Sequence, residues 1–244
     1  MHERVTWVVG IPGVNFEYKL CAVIFLRIKN IGYEFKVASN VRGLGGFYDV
    51  FVEYLDQSCR KKHIFVQLKL KARRITMSQL KSRVGDFSLR KYYDSYIQVE
   101  EKFSCSEGGV KLEGSIDESL FITYTNTGVQ ELKANKSIDC GEEEFLMTGG
   151  TVLQFNEEEH KAIYQHLQDL PKHREFLSRF RIFYSQADEK EMDTYVKPEL
   201  EQIMKLSDIQ LDIAYMCFRE FITDCCQNSD CFLQDTNSRD NDPL

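Results

Sequence analysis

The sequence predicts an α/β fold: a mixed central sheet flanked by helices, followed by an all-helical extension. Three observations carry that expectation. A helical apolar stripe opens the chain, three alternating strand patterns follow it closely, and a long helical stretch separates them from a fourth strand pattern. Strands joined by short turns pair antiparallel, and a strand reached through a crossover helix returns parallel. The sheet is therefore mixed, with helices covering its faces.

The elements follow in order. From Asn15 to Ile31, the residues Phe16, Leu20, Val23, Ile24 and Ile28 share one helical face, and Asn30 and Gly32 suit its end. Tyr33 to Ser39 alternates as a strand, and Gly43, Gly45 and Gly46 mark a turn. Asp49 to Leu55 is a second strand, with Val50 and Val52 on one face and Phe51 on the other. The polar stretch Asp56 to Lys62 reads as a hairpin connection to a third strand, His63 to Leu70. Ser78 to Val84 forms a short helix. Asp86 or Ser88 caps a longer one running to about Phe103, Gly108 and Gly109 sit in a loop, and Ser119 to Thr125 is the fourth strand.

Beyond about Lys133 acids dominate and the patterns turn helical. Asn156 with Glu159 resembles a capping box opening a helix to Leu170, which Pro171 ends. Further helices are expected at about Lys172 to Arg181, Asp188 to Lys205 and Asp208 to Cys226, with Pro198 kinking or splitting the third of these four. The expected organisation is a core over residues 1–133, an acidic helical extension over 134–233 and a polar, disordered tail over 234–244.

Composition narrows the function classes. A chain of 244 residues that is 43% hydrophobic is neither disordered nor fibrous. The longest apolar run, Leu20 to Leu26, is far below the roughly 20 residues of a membrane helix, and no secretory signal opens the chain. The eight cysteines are therefore expected to be reduced thiols in an intracellular protein, cytoplasmic or nuclear, with no membrane partner. Cys225, Cys226 and Cys231 lack the paired spacing of a zinc site, and His160, His166 and His173 read as structural or surface residues. The net charge is −7, yet Arg60 to Lys91 holds eleven lysines and arginines against one acid, Asp86. Such a block on an acidic chain points to an anionic partner, nucleic acid first, unless it is a solvated face balanced by the acidic half. Arg60, Lys61, Lys62, Arg73 and Arg74 are its candidate phosphate contacts. Tyr92, Tyr93, Tyr96 and Phe103 are near enough to stack on bases, although their helical spacing fits a core.

The candidate chemistry lies on the second and third strands. Gln67 and Lys69 are two apart and share a face, and Asp49 begins the strand that pairs with theirs. A carboxylate, an amide oxygen and a lysine converging there suit metal-assisted phosphodiester hydrolysis. Mg²⁺ takes oxygen ligands, and a lysine orients the attacking water and offsets charge on the phosphate. The glycines at 43, 45 and 46 precede a strand rather than a helix, which argues against a phosphate loop.

These residues also carry a family resemblance. Glu17, Gly46-Phe47-Tyr48-Asp49-Val50 and Val66-Gln67-Leu68-Lys69 resemble the PD-(D/E)XK restriction-endonuclease-like superfamily, and the element order is similar to its helix-strand-strand-strand-helix-strand core. More narrowly, most of residues 13–233 resemble the amino-terminal region of large insect proteins that carry NACHT-like NTPase or ankyrin-repeat segments. The matching stretches include Gly85-Asp86-Phe87-Ser88-Leu89, Phe121-Ile122-Thr123-Tyr124-Thr125-Asn126-Thr127 and Phe176-Leu177-Ser178-Arg179-Phe180-Arg181-Ile182-Phe183. The resemblance implies a restriction-endonuclease-like fold and a Mg²⁺ site of Asp49, Gln67 and Glu17 with Lys69 as catalytic lysine. It also implies cleavage of DNA, before RNA, in innate defence against foreign nucleic acid. Gln67 stands where Asp or Glu is usual and Tyr48 where relatives often carry an acid, so the site has less negative charge to hold the ion. The rival expectation is a decayed nuclease fold that serves as a regulatory or interaction module, its acidic helical half binding a protein partner.

Overall fold

The structure is a computed structural model and describes residues 14–41, 43–104, 112–130, 145–205, 207–227 and 233–234. Helix α1, Val14–Ile31, buries the expected stripe: Phe16, Leu20, Val23, Ile24 and Ile28 are all inaccessible to solvent. It stops at Gly32, whose positive φ lets its N–H reach back to the carbonyl of Ile28 at 3.1 Å.

Three strands then form an antiparallel meander: β1 (Phe35–Ser39), β2 (Val50–Leu55) and β3 (Lys61–Lys69). Val37 faces Val52 across the first pair, and Val52 faces Ile64 across the second. After a one-turn helix α2 (Met77–Leu80), helix α3 (Leu89–Ser104) crosses over. Strand β4 (Ser119–Thr125) returns parallel to β3, with Gln67 opposite Thr123. This is the helix-strand-strand-strand-helix-strand order, and the fold class is the mixed, helix-flanked sheet expected. Alternation decides the layers. Val50, Val52, Ile64, Val66 and Ile122 pack against α1, while Phe51, Phe65 and Phe121 pack against α3. Burial on both faces explains why β3 is buried continuously from His63 to Gln67.

The second half of the chain departs from expectation. Strands β5 (Thr151–Gln154) and β6 (Phe180–Tyr184) lie within the stretch expected to be all helical, and both join the same sheet, in the order β5-β6-β4-β3-β2-β1. Strand β6 runs parallel to β4, and β5 closes the edge antiparallel to β6. Phe180 and Ile182 pack into the α3 layer and Phe183 into the α1 layer, so a two-sided strand outcompetes continuation of the helix before it. That helix is short: α4 is Lys161–Leu167 and α5 is His173–Arg179, with Phe180 already extended. The Asn156–Glu159 capping box does not form. Asn156 accepts from the Glu158 N–H at 2.8 Å in a turn, and α4 starts after His160.

The helical part proper is α6 (Asp193–Met204) and α7 (Asp208–Gln227), both packed on α1. Pro198 sits inside α6 without splitting it. A two-residue strand β7, Leu233–Gln234, pairs with β1, and the rest of the expected tail lies outside the described residues, as do Gly108, Gly109 and Cys231. Ser88, not Asp86, caps α3, its Oγ accepting from the Lys91 N–H at 3.2 Å, and the short helix expected to Val84 ends at Leu80. Tyr92, Tyr93 and Tyr96 are buried in the α3 layer, with Phe103 partly buried beside it, so the core role that their helical spacing fits holds, not base stacking. Among the described residues no helix is long and apolar enough to cross a membrane.

The hairpin between β2 and β3 carries the basic residues 60–62, and the fold folds acids onto them. Arg60 pairs with Asp56 at 2.8 Å and Glu118 at 3.4 Å, Lys61 with Glu113 at 2.7 Å, and Lys62 with Glu118. Glu53 sits beside this group with His63 3.5 Å away, Lys36 at 3.1 Å and Lys61 at 3.7 Å. The His63 imidazole and the two lysines hold its carboxyl down at about 2, against burial that would raise it. A folded-state value below the unfolded one stabilises the protein above about pH 4.5 and is lost as pH falls towards 2. Glu53→Gln is expected to lower stability at pH 7 by about 2 kcal/mol and to flatten the acid limb. Urea midpoints at pH 7 and pH 3 check both effects.

Candidate active site

Asp49 is positioned by the turn that precedes β2. Asn40, left-handed at φ +54°, continues the β1–β2 ladder by donating its N–H to the Asp49 carbonyl at 3.3 Å, and the Val41 N–H reaches the Tyr48 carbonyl at 3.0 Å. Between them the chain loops out over α3. Gly45 has φ +61°, and a Cβ there would stand 2.7 Å from Ser95 Cβ, so only glycine permits the approach. The Gly46 N–H then donates to Ser95 Oγ at 2.8 Å. Phe47 anchors the turn, its ring 5.1 Å from that of Phe121 and 5.2 Å from that of Tyr92.

The parity of β2 puts Asp49 on the α3 side of the sheet, the side that Gln67 and Lys69 face from β3. Asp49 and Gln67 are buried at 8% and 3% exposure. Asp49 Oδ2 accepts from the Leu68 N–H at 2.7 Å and from the Gln67 amide. Asp49 Oδ1 makes no hydrogen bond among the described residues. Burial raises the Asp49 carboxyl above the ordinary aspartate range, opposed by the Leu68 N–H and by the charge of Lys69. Lys69 is its counterpart: burial lowers its ammonium, and Asp49 and Asp86 partly restore it. Three of the four expected residues therefore come together on the α3 face of the sheet at the end of β3.

Glu17 comes from α1. It is buried at 7% and accepts from Asn40 Nδ2 at 2.7 Å, so it is not the exposed first-turn acid that a helix start equally suggests. Its charge reaches Tyr48. The Asp49 carboxylate first, then burial, then Glu17 raise that phenol.

Two residues that the sequence analysis did not assign to the site lie beside it. Lys91 of α3 comes close to Gln67: its Cε and Gln67 Oε1 lie 3.9 and 4.0 Å from the point where a side chain on Gly46 would begin. Asp86 lies 3.9 Å from Lys69 Nζ and 2.5 Å from Lys71 Nζ. Neither is legible from spacing, because the β3–β4 crossover alone brings them to the site. The five expected phosphate contacts separate. Arg60, Lys61 and Lys62 lie at the opposite end of β3, about 26 Å away at the usual strand rise. Arg73 and Arg74 are exposed in the segment just after β3, near Lys69.

A divalent oxygen-loving ion fits this donor set. Asp49 offers a carboxylate oxygen without a hydrogen bond, inside a buried site whose raised carboxyl pKa a cation would relieve, and Gln67 offers Oε1. Among the described residues no cluster of three or more His, Cys, Asp or Glu forms a complete metal cage. Mg²⁺ does not need one, since it binds through one or two carboxylates plus water and substrate phosphate.

No protein-family model matches the sequence, and no curated protein does. Solved structures similar to it include two bacterial receptors. One is the Cap4 SAVED/CARF-domain containing receptor of Moraxella osloensis, 13% identical, with a TM-score of 0.42, covering 92% of this chain and 45% of the receptor. The other is the Cap4 SAVED/CARF-domain containing receptor of Acinetobacter baumannii with the cyclic trinucleotide 2'3'3'-cAAA, 8% identical, with a TM-score of 0.45, covering 95% and 43%. The chain spans less than half the length of each.

Proposed function

We propose that the cluster of Asp49, Gln67 and Lys69 is the active site of a metal-dependent nuclease that cleaves phosphodiester bonds in DNA, with RNA the second substrate. The observation that carries this reading is the buried Asp49–Gln67 pair with Lys69 beside it on the same sheet face. Asp49 and Gln67, with Glu17 behind them, would hold Mg²⁺. When bound, the ion lowers the pKa of a coordinated water and offsets phosphate charge. Lys69 does the rest of the polar work. Its ammonium, partly desolvated, orients the attacking water and stabilises charge developing on the phosphate in a site where water competes weakly. Asp49 keeps that ammonium charged by direct attraction. The resemblance to amino-terminal regions that precede NTPase and ankyrin modules extends the proposal to defence against foreign nucleic acid.

Purified protein incubated with plasmid and single-stranded substrates, with Mg²⁺ or Mn²⁺, tests the reading. Chelator-sensitive cleavage is expected, and Gln67→Glu, by restoring a carboxylate, is expected to support it at lower metal concentration. Absence of cleavage in both proteins would leave the fold as an interaction module.

A further inference from the structure

Beside Lys69 the surface opens into a cleft of about 520 Å³, whose lining includes Lys71, Arg73, Gln79, Val84, Asp86 and Phe87. Its size lies within the roughly 300–1,000 Å³ range of ligand sites. Its walls are set by local rules. Thr76 and Gln79 form a reciprocal capping box that fixes α2, and Gly85, at φ +110°, turns the chain back towards α3. Phe87 is buried at its base, and Val84, 77% exposed, stands at the rim as an apolar surface with nothing over it.

The cleft is continuous with the candidate active site through Asp86, which touches Lys71 on the cleft side and approaches Lys69 on the site side. Around this one acid stand Lys69, Lys71, Arg73 and, from α3, Lys91, so the mouth holds an excess of cations. Arg73 has no ion pair among the described residues, unlike Arg60, Lys61 and Lys62, each of which is matched by a carboxylate. Arg74 packs beside Gly128 and does not line the cleft.

We propose that this cleft seats the nucleic-acid strand next to the scissile phosphate, with Lys71 and Arg73 gripping its backbone phosphates and the rim offering Val84 to a sugar or base. The orientation relative to the scissile bond rests on the nuclease reading; the binding itself does not. Asp86 is then the shared partner that a phosphate displaces from Lys71. The hairpin cations Arg60, Lys61 and Lys62, three of the eleven in the basic block, take no part.

The test is salt-dependent binding of the full chain, with chelator present to prevent cleavage, to labelled single-stranded DNA and to RNA of the same sequence. Each lost phosphate contact on a single strand flattens log affinity against log salt by about 0.7. The double variant Lys71→Ala/Arg73→Ala is expected to flatten the slope by about 1.4 and to bind more weakly. The triple variant Arg60→Ala/Lys61→Ala/Lys62→Ala, which removes more charge, is expected to leave the slope unchanged. Thermal melts establish that both variants are folded. An effect of the triple variant equal to or larger than that of the double variant overturns the proposal, as does wild-type protein that binds neither strand. The tighter of the two strands identifies the natural ligand. Wild-type protein that binds through the cleft but does not cut with Mg²⁺ removes the nuclease reading and keeps this one. Cleavage with unchanged KM in the double variant does the reverse.

Discussion

Replacing Lys69 with alanine is expected to slow metal-dependent cleavage by on the order of 100-fold or more and to leave the fold intact. The two halves of that expectation have separate causes. Lys69 is the last residue of β3, with an 18% exposed side chain, and its ammonium feels the charge of Asp49 and lies 3.9 Å from Asp86. A positive charge held there by the sheet needs no reorganisation when charge develops on a phosphate, so its removal falls on the transition state. The folded state loses little. Burial already disfavours the ammonium, which is why its pKa is lowered, and the removed stem packs at a strand end rather than in either apolar layer. A stability change within about 1 kcal/mol is expected. Single-turnover rates on plasmid with saturating metal, alongside thermal melts, check both halves. A variant that melts normally and cuts normally removes Lys69 from the mechanism.

The second large effect is at Asp49, where function and stability are expected to move in opposite directions. Asp49→Asn keeps an oxygen that accepts from the Leu68 N–H and from Gln67, and removes only the charge. Burial raises the Asp49 carboxyl above its unfolded value, so the ionised group costs stability at neutral pH, and the cost disappears as pH falls below the unfolded value. Asp49→Asn is therefore expected to be as stable as the wild type or up to about 1 kcal/mol more stable at pH 7, with the difference gone at pH 3. Cleavage should be lost, since the substitution removes the charge of the carboxylate that pairs with Gln67. A destabilised Asp49→Asn at pH 7 would mean that the charge holds the fold and not a ligand.

Much of this fold was legible because it follows short-range periodicity. The stripe from Phe16 to Ile28, the alternation through Val50, Val52 and Ile64, and the run from Leu120 to Ile122 each report one element and its buried face. The two-residue spacing of Gln67 and Lys69 put them on one face before any packing was known, and the pairing of β2 with β3 brought Asp49 to them. What escaped has a different physics. β6 begins at Phe180 directly after the last helical residue, Arg179, with no glycine or proline between, and becomes a strand because β4 offers a parallel edge. The basic block looks uniform along the chain, yet Glu113 and Glu118 reach Arg60, Lys61 and Lys62 only once β4 lies beside β3, while Asp56 pairs with Arg60 within the hairpin itself. Lys91 and Asp86 reach the site across a crossover, which leaves no trace in local spacing.

Calorimetric titration of Mn²⁺ into the wild type, Gln67→Glu and Asp49→Asn at neutral pH tests the central claim most directly, because it asks whether this buried pair is a metal site independently of any substrate. The expected result is measurable binding by the wild type, tighter binding by Gln67→Glu and none by Asp49→Asn. Equal heats from the wild type and Asp49→Asn, or no heat from either the wild type or Gln67→Glu, would contradict the account.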